Sequence, residues 1–329
     1  MTAQAGTIDG ARRGAFGALE RWGTCLALLA LIAFFAAAAP NFAAPGNLVN
    51  VLRQGSFLAI LAIGFTLALV VAELDLSFAS VASLAGVCAG ALLYDGWPLA
   101  LGAATALAIG LGFGIANGIA VTRFRIPSLI ATLANGTIAG GAAFLITGGV
   151  AYVGRLPDPV LALGRATILG APVLVLWTLA VAALAQLAVK GTLLGAHMTA
   201  TGEAEDAARL AGIDVARMKL VGLALSGLAA GLTALLLVAA LSTAAPTMAH
   251  DFLMKAIAAV LIGMTTIEPG RPNVPGTLVG VLLIGVLTNG LVLLGAAYYV
   301  QDIALGLVIL VSVGLAASRL KRAAFGLHK

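Results

Sequence analysis

The sequence predicts an all-α membrane protein, a single bundle of about ten transmembrane helices formed by residues 1–329. Hydrophobic residues make up 61% of the chain, charged residues only 9%, and the mean hydropathy is +1.11. A water-soluble fold of 329 residues could not hide this much apolar side chain in its interior. The bilayer is therefore the expected solvent, and each helical crossing requires roughly 20 mainly apolar residues.

Ten apolar runs of suitable or nearly suitable length follow one another along the chain. They are residues 22–40, 54–72, 78–94, 97–121, 128–146, 168–189, 218–241, 252–267, 275–295 and 300–317. The eighth run is short and contains Lys255, so ten is an approximate count. The longest polar interruptions, 147–167 and 190–217, are too short to form a separate domain, which indicates one membrane domain.

The distribution of Lys and Arg predicts the orientation, because positive charge close to a span resists translocation. With the N-terminus inside, fourteen Lys and Arg residues fall on the cytoplasmic side and only Arg53, Arg155 and Arg165 fall outside. This asymmetry predicts an even number of crossings, with both termini cytoplasmic. The net charge of +5 follows from the same bias, so it indicates no nucleic-acid partner.

The sequence offers no metal site, cofactor site or disulfide framework. Cys25 and Cys88 both lie in apolar runs, where cysteine acts as a small packing residue. The three histidines are far apart and lack the spacing of metal ligands.

Polar side chains at membrane depth are candidates for a translocation path, because each one is costly unless it is paired or faces water. They are Asp75, Ser77, Asn117, Thr132, Asn135 and Asn289. The first two belong to a break between the second and third runs, Glu73–Ser77. The alternative is structural: Asp75 and Ser77 cap the third helix, and the asparagines bond helix to helix.

Glycine spacing predicts tight helix packing and hints at duplication. Gly110, Gly114 and Gly118 form a small-residue stripe on the fourth run, which lets another backbone approach closely. Similar Asn-Gly segments, 114–118 and 285–290, lie in the fourth and ninth runs, which have opposite directions in the predicted topology. That arrangement suits an inverted repeat.

The cytoplasmic loop 190–217 is the charged part of the chain, with five charged residues within positions 203–214. The pattern predicts a short helix over 203–211 that Thr201 caps and Gly212 ends, with Glu203, Glu205 and Asp206 near its positive N-terminal end. A smooth face of alanines, together with a Glu205–Arg209 pair, suits a partner's groove. A solvated connecting helix would show the same pattern. The alanines are Ala204, Ala207, Ala208 and Ala211.

This loop resembles the coupling segment of permease subunits in bacterial ABC importers, of the ribose, xylose and autoinducer-2 type sugar permease family. The resemblance extends over most of the chain and rests on several short segments in the same order. They are 47–54, 73–77, 117–118, 125–133, 203–214, 256–260, 276–280, 289–291 and 294–295. Three departures from the family's pattern weaken the transfer of substrate identity. Lys255 stands where the family has an acidic residue, Met264 stands in place of a glycine, and residues 268–272 replace a glycine-rich loop.

The resemblance implies a non-enzymatic import subunit for a monosaccharide or polyol, located in a bacterial inner membrane. Two ATP-binding subunits would dock on the coupling segment, a soluble sugar-binding protein would deliver substrate outside, and a second copy or sister permease would complete the path. The implied docking residues are Glu203, Glu205, Ala207, Ala208, Arg209 and Gly212. The chain contains no phosphate-binding loop of the Gly-x-x-x-x-Gly-Lys-Ser/Thr type, so partner subunits would hydrolyse ATP.

The rival interpretation is a self-sufficient, ion-coupled secondary transporter in which Glu73, Asp75 and Lys255 carry the coupling charges. An intramembrane enzyme would need a convergent set of nucleophile, base or metal ligands, which the sequence does not supply.

Overall fold

The computed structural model describes the backbone of residues 5–324 and the side chains of residues 22–311. Within these residues the chain is predominantly helical. The helices are α1 (Ala5–Ala38), α2 (Pro45–Val70), α3 (Phe78–Tyr94), α4 (Leu99–Thr122), α5 (Ser128–Thr147), α6 (Asp158–Arg165), α7 (Val173–Gly191), α8 (Leu193–Glu203), α9 (Glu205–Leu210), α10 (Val215–Leu241), α11 (Phe252–Gly263), α12 (Val274–Leu293) and α13 (Tyr298–Ala324).

Four two-residue strands depart from the purely helical prediction. They are β1 (Tyr152–Val153), β2 (Thr167–Ile168), β3 (Ala171–Pro172) and β4 (Thr243–Ala244). β1 pairs antiparallel with β4, and β2 pairs antiparallel with β3. The Arg165 guanidinium donates to the Ala240 carbonyl and to the Ser242 hydroxyl, which ties α6 to the end of α10.

Six helices of the described chain are long and apolar enough to cross a membrane: α2, α4, α5, α7, α10 and α12. Four shorter apolar helical stretches occupy Trp22–Ala38, Phe78–Tyr94, Phe252–Gly263 and Tyr298–Val311. Each predicted run therefore coincides with an apolar helix, and the multi-pass helical architecture is confirmed. Ten crossings and an inverted repeat remain predictions.

The described residues divide into two compact units, one made of the chain up to Leu48 and from Ala258 onward, the other of Val49–Ile257. In the larger unit α2 and α10 form the interior, since 78% and 72% of their most apolar windows are buried. For α4, α5 and α7 the buried share is only 22–28%. These three helices expose broad apolar faces, as a bilayer requires.

The predicted glycine stripe on α4 packs directly against the backbone of α10. Gly110 lies against the main chain of Gly227 and Gly231, and Gly114 lies against that of Leu223 and Ala224. A Cβ atom at either α4 glycine would overlap main-chain atoms that cannot move aside. Glycine is thus required here for close helix approach.

The segment between α10 and α11 runs along α3. Ala244 packs against Gly90, and a Cβ at Gly86 would stand 2.6 Å from the Met248 sulfur. Further along, the Ala249 N–H donates to Ser83 Oγ at 3.1 Å. The chain therefore descends alongside α3 from its last turns toward its first. Irregular backbone beside a membrane helix is tolerated when protein groups satisfy it.

The smaller unit has its own apolar core of Phe35, Ala39, Phe42 and Val286. Gly290 of α12 provides the space that the Phe35 ring occupies. Gly280 likewise packs against the backbone of Ala259, which brings α12 close to the end of α11.

Candidate functional site

A chain of polar side chains starts at the break between α2 and α3. Asp75 Oδ1 accepts hydrogen bonds from the backbone N–H of Ser77 at 2.9 Å and from its hydroxyl at 2.6 Å. Asn117 Nδ2 of α4 donates to Ser77 Oγ at 2.8 Å, and Asn135 Nδ2 of α5 donates to Asn117 Oδ1 at 2.7 Å. We call these four side chains the polar network. It joins the break to α4 and α5.

The first turn of α5 holds the backbone of the same break. Thr132 Oγ1 accepts from the Leu76 N–H at 3.1 Å, and Ser128 Oγ accepts from the Leu74 N–H at 3.2 Å. The Thr132 side chain is fully buried. Five of the six predicted path residues therefore lie together: Asp75, Ser77, Asn117, Thr132 and Asn135.

This geometry also contains the structural alternative. Asp75 caps the start of α3 through a turn in which its side chain bonds the backbone two residues on. Ser77 itself makes no side-chain cap, so the capping residue is Asp75 rather than Ser77. The Ser226 hydroxyl of α10 and the backbone N–H of Phe78 also face the Asp75 carboxylate.

Asn289, the sixth predicted path residue, belongs to the smaller unit. Its amide exchanges two hydrogen bonds with the Asn47 amide, at 2.8 and 2.9 Å. Asn47 also donates to the Phe42 carbonyl. These two hydrogen bonds join the start of α2 to α12.

The predicted coupling helix is shorter than expected and is preceded by a second helix. Thr201 lies inside α8, where its hydroxyl donates to the His197 carbonyl, so the prediction that it caps the next helix is wrong. α9 begins at Glu205 after Ala204, whose side chain cannot cap. The expected ending is present: Gly212 has φ +82°. The Ile213 N–H bonds to the Ala208 carbonyl and the Gly212 N–H to the Arg209 carbonyl, a helix-ending arrangement that favours glycine.

The alanine face of α9 is divided between two surroundings. Ala208 is buried, only 4% exposed, against its own chain. Ala204, Ala207 and Ala211 are exposed. Beside them Leu210 is 91% exposed. Sequence reasoning missed it because the predicted face consisted of the alanines and the charged pair of this helix.

One lysine joins three elements on this side of the protein. Lys219 Nζ of α10 lies 2.8 Å from Glu73 Oε1 and 2.9 Å from Glu205 Oε2. Glu205 also pairs with Arg209 at 2.8 Å, as the spacing predicted. The hydrogen bond from Lys219, with the charges of Lys219 and Arg209, lowers the pKa of Glu205. Lys219 was not predicted, because its partners lie 14 and 146 positions away.

Apolar contacts reinforce this ion-paired junction. Val70 and Val71 at the end of α2 pack with Met198 of α8 and Met218 of α10. Gly202 lies so close to the Val70 carbonyl that no side chain would fit. The end of α2 is thus held by both helices that flank α9.

Two cavities adjoin these elements. The first, about 540 Å³, is lined by charged residues and lies beside α9 and the α4–α5 connection; its charged residues are Glu73, Arg125, Glu205, Arg209 and Lys219. The second, about 400 Å³, lies between α3, α5 and the segment that runs along α3. Among its lining residues are Leu76, which neighbours the polar network, and four hydroxyl-bearing side chains: Ser80, Ser83, Thr137 and Thr247.

Comparison with known proteins places these features in a family. The family model described as "Branched-chain amino acid transport system / permease component" matches residues 47–313. The chain belongs to this permease family. Ribose import permease protein RbsC of Escherichia coli (strain K12) is 36% identical over 319 residues, which cover 95% of this chain and 98% of that protein.

Other relatives agree with this membership. Ribose import permease protein RbsC of Haemophilus influenzae is 36% identical over 292 residues, 88% of this chain and 90% of that one. L-arabinose ABC transporter permease protein AraH of Azospirillum brasilense is 29% identical over 303 residues, 92% and 89% of the two chains. No solved structure matches the chain. The predicted resemblance is confirmed, and the permease is a multi-pass inner-membrane transport subunit; the side on which its termini lie remains a prediction.

The ion-coupled rival is not favoured by this family membership. The three charges that this rival requires do not lie together as a coupling site. Glu73 is paired with Lys219, and Asp75 is hydrogen-bonded within the polar network. Lys255 is half-buried. Across the described residues no ion pair joins it to Asp251, the carboxylate four positions earlier.

Proposed function

We propose that this permease is the transmembrane subunit of an ATP-driven importer for a monosaccharide or polyol. It would form the translocation path with a second copy or a sister permease, receive substrate from a soluble sugar-binding protein and dock two ATP-binding subunits. Relatives named as ribose and arabinose permeases align with about nine tenths of its length. Among the structural observations, the ion-paired junction at Lys219 carries the proposal furthest, because it links the docking segment to the membrane interior.

The docking surface is the exposed side of residues 203–212. The predicted residues Glu203, Glu205, Ala207, Arg209 and Gly212 would contribute to it, whereas Ala208, which is buried, would support α9 from behind. Leu210 is its apolar anchor. A small alanine face with one projecting leucine and a charged rim suits a groove on a soluble subunit, since fully buried apolar contacts contribute most to a binding interface.

The coupling route leads from α9 through Lys219 to the α2–α3 break. When docking moves α9, Glu205 displaces Lys219, and Lys219 displaces Glu73, which lies two residues before Asp75 of the polar network. The side chain of Glu73 is only 8% exposed and that of Lys219 18%, so neither charge gains full hydration if the pair separates. The elements are therefore expected to move together rather than part.

The translocation path would follow the polar network. Asp75, Ser77, Asn117, Thr132 and Asn135 provide a continuous series of polar groups from the break into the helix bundle. Asn289 would contribute from the smaller unit. Polar groups on otherwise apolar helices, at the interruption between two of them, are a recurrent feature of transporter binding sites.

The decisive experiment separates ATP-driven from ion-driven uptake. Right-side-out vesicles would contain the permease with the ATP-binding subunits, and ATP would be enclosed inside them. Binding protein and radiolabelled sugar would be added outside. We expect uptake that requires ATP and both partner proteins, and that survives a protonophore and sodium-free buffer. Uptake by the permease alone that collapses with the ion gradient would instead establish the ion-coupled alternative.

A second experiment tests the docking surface itself. Leu210→Asp places a charge where an apolar groove is expected and should abolish co-purification of the ATP-binding subunit. Leu193→Asp is the matched control, because Leu193 is also strongly exposed, at 72%, but lies outside residues 203–212. Equal loss with both variants, or with neither, would remove Leu210 from the docking surface.

A further inference from the structure

The second cavity is shaped for a small molecule and has open hydrogen-bonding positions. Its volume of about 400 Å³ lies within the range of small-molecule sites. Ser83 and Thr137 already bond backbone groups, the first with Ala79 and Ala249, the second with Leu133. The side chains of Ser80, Thr247 and His250 make no hydrogen bond within the described part of the chain.

These three free side chains come from two walls of the cavity. Ser80 stands on the first turn of α3, and Thr247 and His250 stand on the segment that runs along α3. Ser83 fixes that segment through the Ala249 N–H, so the two walls are adjacent and held together. Phe144 and Leu133 of α5 supply an apolar surface on the remaining side.

The charges around the cavity discriminate between substrate classes. No Asp, Glu, Lys or Arg lines it, whereas five charged residues line the cavity beside α9. An amino acid carries an ammonium and a carboxylate, and bringing them into an uncharged cavity without opposite charges is costly. A sugar carries only neutral hydroxyls, each able to donate and accept, and apolar C–H faces. The uncharged, hydroxyl-bearing lining of the cavity therefore suits a sugar better than an amino acid.

We propose that this cavity is the membrane binding site for a neutral polyhydroxylated substrate, held by Ser80, Thr247 and His250 against Phe144. The inference rests on the proposed import function and specifies where the substrate binds and which class it belongs to. It distinguishes sugars from the branched-chain amino acids in the family's description. Leu76 of the cavity wall directly precedes Ser77 of the polar network, so a movement of the break reaches the bound substrate.

The test measures substrate contact directly, by protection of an introduced thiol. Ser80→Cys and Thr247→Cys are made separately in a background in which Cys25 and Cys88 are replaced by alanine. Each complex, with its ATP-binding subunits in lipid nanodiscs, is labelled with a small maleimide in the presence of D-ribose, L-arabinose, L-leucine or no addition. Thr122→Cys, which lines the charged cavity, is the control position.

The sugar that the unmodified complex imports should slow labelling of the thiols introduced by Ser80→Cys and Thr247→Cys, by about threefold at twice its Kd. L-leucine should leave both rates unchanged, and no probe should protect the control position. Two thiol positions on different walls keep the test valid if one variant fails to insert.

An import measurement accompanies the labelling. Ser80→Ala combined with Thr247→Val should slow import about fivefold or more, because roughly one hydrogen bond is lost at each position. Thr233→Val removes a buried hydroxyl of α10 that lies outside the cavity, and should import at the unmodified rate.

Each other outcome decides against the inference in a recognisable way. If the complex imports a sugar that protects neither thiol, the cavity is not its site while the proposed function stands. If leucine protects as well as the sugar, the substrate class is wrong. If the unmodified complex imports no monosaccharide or polyol from a panel that extends beyond these two sugars, the proposed function fails, and the cavity's assignment fails with it.

Discussion

Lys219 Nζ lies 2.8 Å from Glu73 Oε1, and this pair connects the N-terminal part of α10 to the break between α2 and α3. The same ammonium lies 2.9 Å from Glu205 of α9. A segment proposed to dock a soluble motor is thereby bonded to the residue that precedes the polar network. Coupling between distant sites needs elements that move as a unit, and this junction is a specific candidate for such an element.

Lys219→Met should uncouple ATP hydrolysis from import. Removing the ammonium leaves Glu73 largely buried without its partner, and we expect import to fall about tenfold while the permease still inserts and retains its ATP-binding subunit. Sugar uptake and ATPase rate, measured on the same vesicles, report the coupling. Arg217→Gln is the control, since Arg217 is an exposed cation in the same turn of α10.

The double variant Glu73→Gln/Lys219→Met refines this test. If the two residues act through their mutual pair, the double variant should be no worse than Lys219→Met alone. Strictly additive losses would show that each residue acts independently, and the proposed route through the pair would be abandoned.

Ala207→Trp and Ala208→Trp should fail for different reasons. Ala207 is exposed, so its variant should insert normally but lose the ATP-binding subunit on purification. Ala208 is 4% exposed against its own chain, so a tryptophan there should destabilise the loop and lower the amount of inserted permease; overpacking typically costs about 1–3 kcal/mol. Quantitative blots of membranes and of purified complexes separate the two effects. If the two variants inserted and retained the ATP-binding subunit to the same extent, the distinction between an exposed Ala207 and a buried Ala208 would be contradicted.

Gly212→Val should weaken docking through the backbone. Gly212 has φ +82°, a conformation that costs a β-branched residue about 1–2 kcal/mol. The end of α9 should then unwind and displace Leu210. Gly112→Val provides a control, because Gly112 lies within α4 with a helical backbone and open space at its Cβ position. Co-purification with Gly212→Val at the unmodified level would show that this ending is dispensable.

Acidification should weaken the α9 junction. The pKa of Glu205 is lowered in the folded protein, mainly by the hydrogen bond from Lys219. A lowered folded-state pKa means that the stabilisation is complete above the unfolded-state value and is lost as pH falls through the folded value. Below about pH 4.5, the ordinary glutamate value, the melting temperature of the unmodified permease should fall more steeply than that of Glu205→Gln. Parallel curves would mean that Glu205 contributes nothing to stability.

The sequence predicted the parts of this protein that follow from local composition. Long apolar runs gave the helices, the glycine spacing on α4 gave a close helix contact, and Gly212 gave the end of α9, because each signal lies within a few residues. The Lys219 junction joins positions separated by 14 and 146 residues, so no local pattern contains it. The path of residues 244–249 along α3 was missed for a similar reason: it depends on space left by Gly86 and Gly90.

The last prediction decides whether the polar network carries substrate or only joins helices. Asn117→Leu leaves Asn135 without its acceptor and Ser77 without one donor, which should cost roughly 1–3 kcal/mol. Asn117→Leu/Asn135→Leu removes both amides, and replacing both partners of a buried bond by apolar groups can be nearly neutral. The double variant should therefore regain much of the thermal stability. If the amides line the path, import should stay low even so, whereas recovery of both stability and import would favour the structural alternative.

The matched pair Asn47→Leu/Asn289→Leu applies the same two measurements to the sixth predicted path residue. The Asn289 amide bonds only Asn47 among the described contacts. Recovery of import in this double variant would remove Asn289 from the path while leaving Asn117 and Asn135 on it.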